Sequence, residues 1–218
     1  MLSTYKSQSV SARIAQRIKR LPKGQPFSIS RFTGFGTKNA VSKAIARLVN
    51  RGELERLYRG IYMRPKPGRY IANARPNLWK LISLIATQKH LSLQIHGANA
   101  VRRFGLSTQM PLIPIYYING ASRSVFIGKA EVRLIHAAPM VMQHPGTEVG
   151  MAISALYYLG KDGSTPECIA AIRKALKPED LVKLAACKMP NWMRMALEAM
   201  TEPLLCDQQG TDDDRHLL

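Results

Sequence analysis

The stretch "TKNAVSKAIARLVNRGELERLYRGIYMRPK", Thr37 to Lys66, decides the fold of the first part of this chain. Val41, Ala44, Ile45, Leu48 and Val49 follow the i, i+3, i+4, i+7, i+8 spacing of a helix with one buried face. Thr37 stands where an N-cap side chain belongs and Gly52 where a C′ glycine does, so the spacing predicts a helix between them. Its other face holds Lys38, Asn39, Ser42, Lys43 and Arg47, a set of long donors and small polar groups. Past Gly52, two short apolar runs meet at Arg59-Gly60, which predicts a hairpin with Gly60 supplying a positive φ. In that register Leu57 is expected opposite Tyr62, and Glu55 opposite Arg64 as a cross-strand ion pair. Arg56, Arg59 and Arg64 load the hairpin with guanidinium groups that a strand pair buried on both sides would not carry.

Working outward toward the N-terminus, Val10, Ile14, Ile18 and Leu21 mark an amphipathic helix with Arg13, Arg17, Lys19 and Arg20 on its other faces. Pro22 and Gly24 end it. "FSISRFTGFG" is short, with Ser28 placed to cap one or two helical turns and Gly34 and Gly36 marking a break. Toward the C-terminus, "RPKPGRYIANARP" carries three prolines and reads as a boundary. "NLWKLISLIATQ" then has helical spacing through Leu78, Leu81, Ile82 and Ile85, and "LQIHGANAVRRFGL" reads as a further helix ending at Gly105. "PLIPIYYING" and "RSVFIGKAEVRLIHAA" are β-branched and aromatic runs joined through "NGAS", a hairpin-like signal. Four helices follow: Thr147 to Leu159, Pro166 to Leu176, Pro178 to Cys187 and Pro190 to Met200. The fold class expected is α+β: a winged helix-turn-helix domain at 1–68, a linker at 69–76, a mixed α/β domain with a helical C-terminus at 77–205, and a polar tail at 206–218.

The 218 residues carry a net charge of +18, very unevenly distributed. Residues 1–75 hold 17 Lys and Arg against only Glu53 and Glu55, a net +15, whereas the remainder holds 15 basic and 12 acidic residues. Such asymmetry predicts a front part that binds a polyanion, either nucleic acid or anionic lipid. Lipid is the weaker reading, because no window approaches 18 uninterrupted apolar residues and "MLSTYKSQSV" lacks the apolar core of a signal peptide. A cytoplasmic protein is expected. Cys168, Cys187 and Cys206 are odd in number, far apart and without C-x-x-C, which predicts reduced buried thiols and no metal site.

The order helix, short helix, turn, strong helix, basic hairpin within about 60 residues is the layout of a winged helix-turn-helix, whose third helix enters the major groove of DNA. Lys38, Asn39, Ser42 and Lys43 lie in the first turns of that helix; Asn pairs bidentately with adenine and Lys with guanine. Arg47 is further along and suits a phosphate, as do Arg56, Arg59 and Arg64 on the hairpin, which also suit a narrow minor groove. A lone charge run is ordinarily a solvated face. Here the charge continues from the polar face of a helix onto the next hairpin, and that helix face carries no acid. Neutralising about six phosphates predicts a slope of log K against log[salt] of roughly −5. Tyr58 and Tyr62 are expected to pack on the helices rather than stack on bases. No catalytic residue or cofactor is expected: His90, His96, His136, His144 and His216 are scattered, Lys129, Glu131 and Asp162 have no nuclease spacing, and "GFGTKN" lacks the G-x-x-x-x-G-K-[ST] of a phosphate loop.

"ELERLYRGIYMRPK" resembles the wing of the AbiE-type antitoxin regulators of bacterial type IV toxin-antitoxin systems, and "IHGANAVRRFGLSTQMPLIPIYYINGASRSVFIG" resembles the start of their second domain. Together the two stretches span roughly Val10 to Ala138. The resemblance implies an autorepressor that binds promoter inverted repeats in double-stranded DNA and counters a nucleotidyltransferase-type toxin without requiring a stable complex with it. It places the DNA role on Lys38, Asn39, Ser42, Lys43, Arg47, Arg56 and Arg59, and it makes Asn99, Arg102 and Arg103 motif residues of unassigned role. Two other readings of the second domain stay open, a ligand sensor and a nuclease-like enzyme, each without a toxin partner.

Overall fold

The computed structural model describes residues 9–67 and 75–199. The protein is a mixed α+β chain with two small sheets, divided into two compact units: residues up to Leu91 together with 126–130, and the remainder from Ser92.

In the first unit each helix begins where a short polar side chain meets an amphipathic run. Ser9 Oγ accepts from Ala12 N–H at the start of helix α1, Val10–Lys19, which buries Ile14 and Ile18. Strand β1 is Pro26–Ser28, and Ser28 then caps a 3-10 helix over Ile29–Phe35 whose Phe32 is fully buried. Helix α2 is Lys38–Asn50: Thr37 Oγ1 accepts from Ala40 N–H at 3.3 Å, and Val41, Ala44, Ile45 and Leu48 are buried. Strands β2, Glu55–Tyr58, and β3, Ile61–Met63, form a hairpin whose turn residue Gly60 has φ +75°. The sheet order is β1-β3-β2, antiparallel throughout. Phe27 and Phe32 meet edge to face at 5.9 Å in a core shared with Ile14, Ile18, Ile45 and Leu54. Tyr62 packs against that core, as its place in the hairpin led us to expect.

Helix α3, Leu78–Gln88, also belongs to this unit. It packs against β1, and Lys80 Nζ donates to Gln25 Oε1 at 2.8 Å. The boundary therefore lies between Leu91 and Ser92 rather than at Pro76, because the apolar face of α3 is used to cover the first sheet. Most of the linker expected at 69–76 and all of the tail at 206–218, including Cys206 and His216, lie outside the described residues.

From Ser92 onward the chain forms β4 (Leu93–Ile95), α4 (Gly97–Arg103), β5 (Ile115–Ile118), β6 (Arg123–Ile127), β7 (Ala130–His136) and helices α5 (Glu148–Gly163, kinked at Gly160), α6 (Pro166–Ala175), α7 (Pro178–Ala185) and α8 (Asn191–Glu198); all of it belongs to the second unit except 126–130, the end of β6 and the start of β7, which group with the first. The helices after Gly146 start and end close to their predicted places. The buried run Val149–Leu156 of α5 lies against α4 and β4. Gly97 permits that approach: a Cβ there would overlap Tyr158 and fall 2.7 Å from the Ser154 carbonyl.

Three expectations from the sequence are corrected, and one strand is added. The hairpin pairs Glu55 with Met63 and Arg56 with Tyr62, with a bulge before Tyr58, so Leu57 does not face Tyr62 and Glu55 does not face Arg64. β1 was not anticipated; it is three residues long and gains its hydrogen bonds only from β3. Residues 93–105 are a strand followed by a helix, not one helix, because Leu93–Ile95 pairs with β5. Finally, β5 and β6 do not form a hairpin. The longer β7, with Val132 and Leu134 buried, inserts between them and runs parallel to β5. The "NGAS" loop instead closes over the end of β7, where His136 N–H donates to Ser122 Oγ and Ala137 N–H to the Ile118 carbonyl.

Candidate nucleic-acid interface

Lys38, Asn39, Ser42, Lys43 and Arg47 all lie on the exposed face of α2, opposite its buried stripe. Helical periodicity brings them together: residues three and four apart stack on one face, so Asn39, Ser42 and Lys43 form one continuous surface. Arg56 on β2 and Arg59 in the turn are exposed as well. Two acids, Glu53 and Glu55, lie close to this surface in the chain. Glu53 pairs with Arg51 at 2.9 Å, and Glu55 is half-buried, with Oε2 shielded from solvent. The result is a surface of cations and amide or hydroxyl donors in one compact unit, with no acid on α2 itself.

Arg64 does not belong to that surface. Its Nη1 donates to the carbonyls of Lys19 and Leu21 at 2.7 and 2.6 Å, satisfying acceptors left over at the C-terminal end of α1. Charge-assisted bonds of this length hold the guanidinium in place, so Arg64 is a tie between β3 and α1.

Sequence reasoning named Arg13, Arg17 and Arg20 but gave them no role. With Gln16 and Phe35 they line a cleft of about 260 Å³, and the Arg13 guanidinium lies 5.2 Å from the Phe35 ring centroid. Their spacing of four and three residues was legible; the aromatic wall supplied by Phe35 was not.

The motif residues Asn99, Arg102 and Arg103 lie on α4 in the second unit, Asn99 half-buried and both arginines exposed. α4 is capped by a histidine. His96 Nδ1 accepts from Ala98 N–H at 3.3 Å, and the ring sits between Tyr117 at 4.6 Å and Tyr158 at 5.8 Å. Burial lowers the His96 pKa and raises that of Tyr117. Glu131 is taken up by Ser124 Oγ at 2.7 Å and Arg133 at 3.2 Å, and these hydrogen bonds hold its carboxyl below the usual range. Among the described residues no three His, Cys, Asp or Glu side chains cluster to hold a metal ion, and no helix is long and apolar enough to cross a membrane.

No curated protein matches this sequence. Among solved structures, the crystal structure of the RV2827C protein from Mycobacterium tuberculosis is similar with a TM-score of 0.44 and 14% identity, covering 90% of this chain and 78% of that one. The model of a family of unknown function, DUF6088, matches residues 13–184, and the chain belongs to that family.

Proposed function

We propose that this protein is a DNA-binding transcriptional autorepressor whose first unit is a winged helix-turn-helix. In this reading α1, the 3-10 helix and α2 are its three helices, and the β2–β3 hairpin is its wing. The observation that carries the proposal is the exposed, acid-free face of α2, Lys38, Asn39, Ser42, Lys43 and Arg47, followed directly by a hairpin that exposes Arg56 and Arg59. A helix with short polar and long cationic side chains in its first turns suits base edges, and arginines on an adjoining hairpin suit phosphates. Intracellular action on its own promoter follows from this role. Antitoxin action against a nucleotidyltransferase-type toxin is the further part of the proposal, and it rests on the resemblance of residues 10–138 to AbiE-type regulators.

The test is fluorescence anisotropy with two duplexes, one from the DNA upstream of the protein's own gene and one of scrambled sequence. Arg59→Ala is expected to weaken both complexes and to flatten the salt slope by about 0.9, one phosphate's share. Asn39→Ala is expected to cost about 1–3 kcal/mol on the upstream duplex and little on the scrambled one. Equal losses on both duplexes for both variants would sink the groove assignment. For the toxin half, co-expression with the neighbouring reading frame should relieve any growth arrest that frame causes alone; a harmless neighbour removes the antitoxin role and leaves the DNA role standing.

A further inference from the structure

The side chains proposed to enter the groove come from α2 and the hairpin. A second basic surface lies on α1, and none of its residues is used there. Arg13, Arg17 and Arg20 are spaced four and three residues apart, so they share one face, and all three are exposed. Four residues of helix advance about 6 Å and three about 4.5 Å. Three guanidiniums therefore stand in a row at intervals comparable to the spacing of successive phosphates along one strand, which rise about 3.4 Å apart and also step around the axis. No acid occurs between Met1 and Asn50 to pair with them.

Two features make this row more than a solvated helix face. The first is the wall: Phe35, at the end of the 3-10 helix, closes one side of a cleft of about 260 Å³ lined by Arg13, Gln16, Arg17 and Arg20. The Arg13 guanidinium is held 5.2 Å from the Phe35 centroid, which pre-orients it, and Phe35 is itself fixed edge to face on buried Phe32 at 5.6 Å. The second is where the row begins. Gly36 follows Phe35 and lies against Val10 at the start of α1, so closely that a Cβ there would sit 3.0 Å from both Val10 methyl groups. Thr37 and Lys38, the cap and first residue of α2, come next. The arginine row thus starts close to the N-terminal turn of α2 and continues along α1.

We propose that the Arg13–Arg17–Arg20 cleft of α1, walled by Phe35, is a phosphate track that holds the sugar-phosphate backbone of duplex DNA next to the segment read by α2. The inference rests on the duplex-binding reading above and adds contacts outside the groove. The contact is sequence-independent. It sets the register of α2 on the duplex and lengthens the bound site.

The test compares wild type, Arg17→Gln/Arg20→Gln, the charge-retaining Arg17→Lys/Arg20→Lys, and a control, Lys174→Gln/Lys177→Gln, whose replaced residues are exposed in the second unit. Each is titrated with the upstream and scrambled duplexes across salt, and thermal melting confirms folding. The glutamine variant is expected to lose affinity for both duplexes by the same factor, about ten-fold or more at low salt. Its slope of log K against log[salt] should flatten by about 1.8, two phosphates' share. The lysine variant and the control should keep most of the slope, and the preference for the upstream duplex should not change. An unchanged slope and affinity in the glutamine variant, with Asn39→Ala still altering base preference, overturns the track and leaves the groove reading intact. If instead Asn39→Ala has no effect while the glutamine variant loses binding, the groove reading fails and the phosphate contact stands. Inorganic tripolyphosphate supplies the remaining arm: a melting shift that the glutamine variant abolishes, with duplex affinity untouched, marks a free-anion site and overturns the backbone assignment.

Discussion

Arg64 shows how one side chain's role turns on distant backbone. By composition it belongs with Arg56 and Arg59, but its partners are two carbonyls 43 and 45 residues earlier in the chain. Nothing local encodes that, since carbonyl acceptors look alike in every sequence. Replacing Arg64 with Ala leaves half-covered helix-terminal carbonyls without their donor, and each charge-assisted bond of this kind contributes about 1.5–3 kcal/mol. We expect Arg64→Ala to lower stability by about 2–4 kcal/mol in urea unfolding, while the folded variant keeps the wild-type salt slope on DNA. A loss of slope equal to that of Arg59→Ala would return Arg64 to the interface. His96 carries a prediction of opposite kind. Its pKa is lowered by burial, so the unfolded chain takes up the proton more readily than the folded one. The stability supplied by the neutral cap is fully present above the unfolded value near 6.5 and is lost as pH falls below it. His96→Asn, which caps a helix without titrating, should flatten the decline of melting temperature between about pH 7 and 5.

At the scale of elements, most helices and the β2–β3 hairpin were legible, and β1 and β4 were not. α2 is specified by residues within four positions of one another: a cap at Thr37, an apolar stripe and a terminal glycine at Gly52. Thr37→Ala is expected to cost about 1 kcal/mol in thermal or urea unfolding, with Thr37→Ser nearly neutral. β1 and β4, by contrast, are three residues each and are strands only because β3 and β5 supply their hydrogen bonds. Likewise "NGAS" carries a good hairpin signal, yet β7 displaces β6 from β5 because a central strand with two buried side chains forms ladders on both edges. The contact of α4 with α5 has its own test. Gly97→Ala puts a methyl group onto Tyr158 and toward the Ser154 carbonyl, and overpacking of this kind costs about 1–3 kcal/mol or more. The outcome to measure is the urea midpoint, and an unchanged midpoint would show that α5 yields at no cost.

For the molecule as a whole, charge and unit boundaries tell different stories. The +15 carried by residues 1–75 is readable by counting, and it does not depend on any fold. The boundary is not countable: three prolines point to residues 64–76, but α3 spends its apolar face on the first sheet and moves the limit to Leu91. A fragment of residues 1–91 is therefore expected to melt cooperatively and well above a fragment of residues 1–76, which exposes the surface α3 covers; equal melting would restore the boundary at the prolines. The sequence by itself determined most of the helices, the caps at Ser28 and Thr37 and the lopsided charge, because each follows from side chains a few positions apart or from composition alone. Only the tertiary structure decided the bulged register of the hairpin, the withdrawal of Arg64 to α1, the place of β7 between β5 and β6, and the pairing of Phe35 with Arg13. Each of these depends on which remote segment lies in hydrogen-bonding or packing distance in the folded chain, and local chemistry leaves that choice open.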